Sequence, residues 1–165
     1  MLQTLIAWVE DRPGVLVRVA GMFRRRGLNI ENLSVGRSEQ QGLSRMTIVV
    51  ESGKLPGAIV EENLRKLVDV VDVHDVTEER CVRRELALIK VRADSKSRLE
   101  ILQLAEIFRA KIIDVGRASV IVEASGDASK IDGLLDVLQP FGVLELMRTG
   151  CVAMVRAASR KPCLT

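Results

Sequence analysis

The sequence predicts an α+β fold of two ferredoxin-like βαββαβ sandwiches. Three observations carry this. Apolar spacings follow one another in the order β-α-β-β-α-β over residues 2–77. The same order returns after residue 85. A chain of 165 residues, 47% hydrophobic and 28% charged, suits one ordinary domain or two small ones with real cores. The expected division is a first domain over 1–78, a charged linker over 79–84, a second domain over 85–156 and a basic tail over 157–165.

Residues 2–9, LQTLIAWV, read as a buried strand. Asp11 has the chemistry of a helix N-cap, and Pro13 suits a first helical turn. Val15, Leu16, Val19, Met22 and Phe23 then follow helical spacing, and Gly27 falls where a left-handed C-cap is wanted. Residues 29–37, NIENLSVGR, alternate as a strand whose pattern slips once between Ile30 and Leu33. The turn SEQQG and the strand LSRMTIVVE complete a hairpin. Pro56 and Gly57 open a second helix with Val60, Leu64, Leu67 and Val68 on its stripe, and VVDVHDVT is the closing strand.

In the second half, ELALIKVRA is a strand. Residues 97–110 form a helix on Ile101, Leu104, Ala105 and Phe108. KIIDVG and ASVIVEAS are strands joined near Gly116 and Arg117. A helix over 128–139 aligns Ile131, Leu134, Leu135 and Leu138, and GVLELMR and CVAMVR close the domain.

Composition excludes several function classes. The net charge of +3 is too mild to argue for nucleic acid, and no apolar run reaches the roughly 18 residues of a membrane span. The first residues carry no basic leader, which leads to the expectation of a soluble, cytoplasmic protein. Arg24, Arg25 and Arg26 read as a solvated helix end or as a patch for an acidic partner. No acidic residue follows Glu145, whereas Arg148, Arg156, Arg160 and Lys161 do.

Cys81, Cys151 and Cys163 are odd in number and widely spaced, which argues against a disulfide scaffold or a zinc site. His74, the only histidine, lies in an alternating run and reads as a surface strand residue. There is no G-x-G-x-x-G, Walker-type loop or G-x-S-x-G. Arg80, Arg83 and Arg84 around Cys81 would lower a thiol pKa, but no histidine is near it in sequence. No catalytic residue and no metal ligand is assigned.

The segment DRPGVL is different. The first amides of a helix have no intrahelical acceptors and attract carboxylates and phosphates. Gly14 lets a ligand approach the backbone, and Asp11 either caps the helix or accepts from an ammonium group. Asn29 offers a donor and an acceptor, and Val15, Leu16, Ile30 and Val35 supply apolar surface. The set suits an α-amino acid. A capped turn that binds nothing is the alternative.

DRPGVL followed by RRGLNIENLSVG resembles an ACT domain, the small-molecule sensor of amino-acid metabolism. The ordered runs RVAGMFRRRGLNIENLSVG, LSRMTIVV, LRKLVDVVDV, RRELALIKV and EIFRAKIIDVG resemble the small regulatory subunit of acetohydroxyacid synthase (acetolactate synthase) from about Leu2 to Arg156.

The resemblance implies a non-catalytic homodimer in branched-chain amino-acid biosynthesis. It would activate a catalytic large subunit and confer feedback inhibition, usually by valine. The chain itself would bind no cofactor; thiamine diphosphate, Mg and FAD are expected in the large subunit. The effector site implied lies at the interface of two ACT domains. Asp11, Gly14, Val15 and Leu16 come from one chain, Asn29 and Ile30 from the other, and Val35 lines the pocket. Many members have asparagine at the position of Asp11 and lack Pro13, so this chain adds a negative charge beside the effector. Two rivals are a hydrolase opening with an ACT-like segment, which would need a catalytic domain to follow, and a metal-responsive DNA-binding regulator, which one histidine and the absence of a basic helix-turn-helix oppose.

Overall fold

The computed structural model describes residues 2–51, 53 and 57–157. Pro56, Cys163, Arg160, Lys161 and all but the first residue of the expected tail lie outside the described residues. The chain divides into two compact units, one of Met1–Val82 with Cys151–Thr165 and one of Arg83–Gly150.

In the first unit β1 (Leu2–Glu10), α1 (Val15–Arg25), β2 (Asn29–Arg37), β3 (Leu43–Glu51), α2 (Gly57–Arg65) and β4 (Val70–Asp75) follow in the expected order. The sheet is antiparallel in the order β2-β3-β1-β4, the ferredoxin-like arrangement. One face of β1, through Leu5, Ala7 and Val9, packs on Val15, Val19, Met22 and Phe23 of α1 and on Val60 and Leu64 of α2. The period-two alternation of β1 sends Ile6 and Trp8 to the opposite face, where Val76 and Ala153 bury them.

Local chemistry explains the boundaries. The N–H groups of Gly27 and Leu28 return to the carbonyls of Arg24 and Phe23 at 3.1 and 3.0 Å, a Schellman closure with Gly27 at φ 65°. The slip read in β2 is a bulge: Ile30 pairs with Val50 and Asn32 with Val49, which leaves Glu31 over.

Three expectations about this half need correction. Asp11 does not cap α1. Its N–H pairs with Gly42 O at 2.9 Å and its side chain accepts from Ser44, so it still belongs to the strand region. The N-cap is Gly14 in the left-handed region (φ 88°), and Pro13 precedes the helix. Val68 is 84% exposed because α2 ends at Arg65 and the chain turns toward β4.

The second unit contains most of β5 (Cys81–Arg92), then α3 (Arg98–Ile107), β6 (Lys111–Val115), β7 (Ser119–Gly126), α4 (Ala128–Leu138) and β8 (Val143–Arg148), with a single 3-10 turn at Gln139–Phe141. The order β6-β7-β5-β8 repeats the first sheet, and the bulge of β2 recurs in β6 between Ile112 and Asp114. Ile89, Val91, Val122, Ile101, Ile131, Leu134 and Leu138 form its core.

Two boundaries differ from the expected ones. Cys81–Arg84, read as linker for want of a period, are the first residues of β5. The last strand, β9 (Val152–Val155), pairs with β5 and belongs to the first unit rather than closing the second. Side chains of the first sheet hold it there: Arg45 Nη2 donates to Ala153 O at 2.6 Å, Asn32 Oδ1 accepts from Cys151 N, and Thr47 Oγ1 accepts from Ala153 N at 3.5 Å.

Candidate functional site

The start of α1 has no side-chain cap. Gly14 supplies the cap position through its backbone, and Arg18 N–H is the first to bond four residues back, to Gly14 O at 3.1 Å. Val15 N–H reaches Arg12 O at a long 3.4 Å. The amides of Leu16 and Val17 therefore face outward at the positive end of the helix dipole.

In the second unit α3 also starts without a side-chain cap, at Ser97, but the turn before it is tied together. Asp94 Oδ1 accepts from Lys96 N and Ser97 N at 2.9 and 2.8 Å, and these bonds hold its carboxyl below the usual carboxylate range. Arg98 Nη2 covers the carbonyls of Gly116 and Arg117 at 2.8 and 2.9 Å. At α4, Asp127 accepts from Lys130 N at 2.9 Å. What sets the α1 start apart is its left-handed glycine cap, which carries no side chain over the first amides.

The predicted residues fall into two groups. Asp11, Gly14, Val15, Leu16 and Val35 lie at the end of the unit where β1 finishes, because β2 runs parallel to β1 through their shared antiparallel partner β3. Asp11 is exposed beside Arg37, whose Nε is 4.0 Å from Oδ2, and both border a hollow of about 200 Å³ closed by the β2–β3 turn, Ser38 to Leu43. Val15 is buried in the core, so its side chain is not open to a ligand. Leu16 is 44% exposed and Val35 46%, which leaves both side chains open to contact.

Asn29 and Ile30 lie at the other end of α1, 11 residues and about 16 Å away along the helix. Asn29 is exposed, with Nδ2 donating to Glu31, and Ile30 packs partly on the core. A single copy does not bring the two groups together.

Two residues at the helix start escaped the sequence reading. Arg18 donates through Nε and Nη2 to the two oxygens of Asp69, the second bond at 2.8 Å. Asp69 is 4% exposed, and its bond with Arg18 holds the carboxyl below the usual range. Arg12 lies 3.9 Å from Asp69 and pairs with Glu10. The signal for Arg18 was its place one turn after Gly14, since helical side chains lean toward the N-terminus. Nothing local marked Asp69, 51 residues on.

The other candidates are structural. His74 Nε2 lies 2.9 Å from Asp72 Oδ2, and the ring meets Trp8 edge-on at 5.5 Å; it is half-buried rather than a free surface residue. Cys81 Sγ rests 3.9 Å from Val76 O. Among the described residues no group of three or more His, Cys, Asp or Glu could hold a metal ion. None of their helices is long and apolar enough to cross a membrane.

A βαββαβ unit with a glycine-started first helix, followed by a second βαββαβ unit, defines an ACT-type protein. Residues 5–72 match the family described as "AHAS small subunit-like ACT domain", and residues 84–157 match "Small subunit of acetolactate synthase". The chain belongs to the acetolactate synthase small-subunit family, whose members are regulatory rather than catalytic subunits. It is 50% identical over 156 residues to a probable acetolactate synthase small subunit of Archaeoglobus fulgidus, covering 94% of this chain and 98% of that one. It is 49% identical to the acetolactate synthase small subunit of Mycobacterium leprae, covering 93% and 90%. The crystal structure of the acetolactate synthase small subunit from Thermotoga maritima superposes with a TM-score of 0.87 at 43% identity, covering 94% of this chain and 98% of that one.

Proposed function

We propose that this chain binds a branched-chain amino acid, valine foremost, between two copies of its first unit, and that binding inhibits a catalytic large subunit which the free chain activates. The observation that carries the reading is the separation of the two predicted groups. Leu16 and Val17 offer outward amides for a carboxylate beside the bare backbone of Gly14, and Asp11 offers an acceptor for an ammonium. Asn29 and Ile30 stand about 16 Å off at the other end of α1. A two-fold axis beside α1 would set them against the Asp11–Leu16 turn of the other copy. The surface there suits such pairing: β2 is an edge strand, and Leu16, Val17, Ala20 and Gly21, flanked by Arg18, Arg24 and Arg25, line a shallow groove along the outer face of α1.

The effector controls the large subunit only through a difference in affinity between two arrangements of the pair, typically 1–3 kcal/mol for allosteric coupling, or roughly 5- to 150-fold. Thiamine diphosphate, Mg and FAD belong, in this reading, to the large subunit. Calorimetric titration of the purified chain with valine, leucine and isoleucine tests it. Heat is expected with at least one, at one or two sites per dimer. No heat with any of the three, together with no effect on the reconstituted enzyme, would sink the proposal.

A further inference from the structure

We infer that Arg18 is an effector-binding residue, presenting one edge of its guanidinium to the ligand carboxylate above Gly14, while buried Asp69 holds the other edge. The inference rests on the effector reading above and assigns a residue to that site. Asp69, 4% exposed, takes Nε and Nη2 of Arg18 side-on. A guanidinium has five N–H donors in a rigid fork, so side-on pairing leaves Nη1 and the second Nη2 hydrogen on the end-on edge. That edge faces the glycine: a Cβ built on Gly14 would meet Arg18 Nη1 at 3.3 Å. The space opened by the missing side chain is therefore walled by a cation, and Arg18 is still 49% exposed in the single copy.

A carboxylate lying over Gly14 would meet the amides of the helix start on one side and Nη1 on the other. Charge-assisted contacts of this kind are short and strong. Asp69 fixes the geometry: without it the long side chain would have to be ordered at each binding event. Arg12, 3.9 Å from Asp69, is paired with Glu10 and has no direct role.

The test is calorimetry of valine, leucine and isoleucine binding to the full chain and to Arg18→Gln, Arg18→Lys and Asp69→Asn. For whichever amino acid the unchanged chain binds, Arg18→Gln is expected to weaken affinity tenfold or more. Asp69→Asn keeps the cation and loosens it, so it weakens affinity by less. Unchanged affinity in Arg18→Gln overturns the inference. So does a loss in Asp69→Asn equal to or greater than that in Arg18→Gln, which marks the pair as a structural tie only. Should Arg18→Gln fail to fold, Arg18→Lys carries the test. Its single nitrogen is taken by Asp69, so affinity falls at least threefold; wild-type affinity there overturns the assignment. Absence of binding by the unchanged chain instead refutes the effector reading.

Discussion

Gly27 and Arg109 occupy the same left-handed position after the first helix of each unit, at φ 65° and 51°. Each is followed by a residue whose N–H returns to the third-last helical carbonyl, Leu28 to Phe23 at 3.0 Å and Ala110 to Ala105 at 2.8 Å. One motif is thus built once with glycine and once with arginine. The left-handed region costs a residue with a Cβ roughly 1–2 kcal/mol, partly offset by the chain entropy of glycine. Arg109→Gly is therefore expected to stabilise the protein by about 0.5–1 kcal/mol, and Gly27→Ala to destabilise it by about 1 kcal/mol. Urea midpoints at constant slope check both.

Trp8, the only tryptophan, is 3% exposed on the sheet face that Ala153 covers. Arg45, which binds Ala153 O, also lies 5.5 Å over its ring. A chain ended after Gly150 is expected to show red-shifted tryptophan emission and a lower melting temperature. An unshifted spectrum would mean that β9 does not cover this face in solution.

Asp69 makes stability depend on pH. Its carboxyl is held below the ordinary value of 3.8, first by the bond from Arg18. A group with a depressed folded-state pKa contributes its full stability above the unfolded value and loses it as pH falls through the folded one. The contribution is therefore complete at neutral pH and disappears below 3.8. Asp69→Asn is expected to lower the urea midpoint at pH 7 and to flatten its acid decline. Parallel declines in the two proteins would show that Asp69 carries none of it.

Asp11 accepts a hydrogen bond from Ser44 at 3.2 Å and stands 4.0 Å from Arg37. In the proposed role of ammonium acceptor it would be replaceable by asparagine but not by alanine. Asp11→Asn is expected to change effector affinity by less than about tenfold, and Asp11→Ala by more, since a hydrogen bond to a charged group contributes roughly 1.5–3 kcal/mol. Titration calorimetry on the two variants decides.

Much of this was legible in the sequence, where local chemistry decides structure. The element order, the glycine closure of α1 and the slip at Glu31 follow from spacing and backbone preference. What was misread depends on distant partners. Asp11 looks like a cap until Gly42 and Ser44 engage it. Cys81–Arg84 lack a period because their strand extends β5 next to β9, which lies some 70 residues later. Leu16 fits a helical stripe, yet the core needs only Val15, Val19, Met22 and Phe23 from α1. The Arg18–Asp69 pair joins α1 to the turn before β4, a contact that no local pattern encodes.

Gly14 is where the central claim is most exposed to test. An aspartate there tolerates the left-handed φ of 88° better than most residues, and its side chain would fill the space beside Arg18 with a fixed carboxylate. The direct measurement is inhibition of the reconstituted enzyme, large subunit plus this chain, by valine, leucine and isoleucine, for the natural chain and for Gly14→Asp. The account predicts that the natural chain activates the large subunit and that one of the three amino acids inhibits the complex. It predicts that Gly14→Asp still activates but no longer transmits inhibition. Full sensitivity in Gly14→Asp, or a natural complex indifferent to all three amino acids, would contradict it.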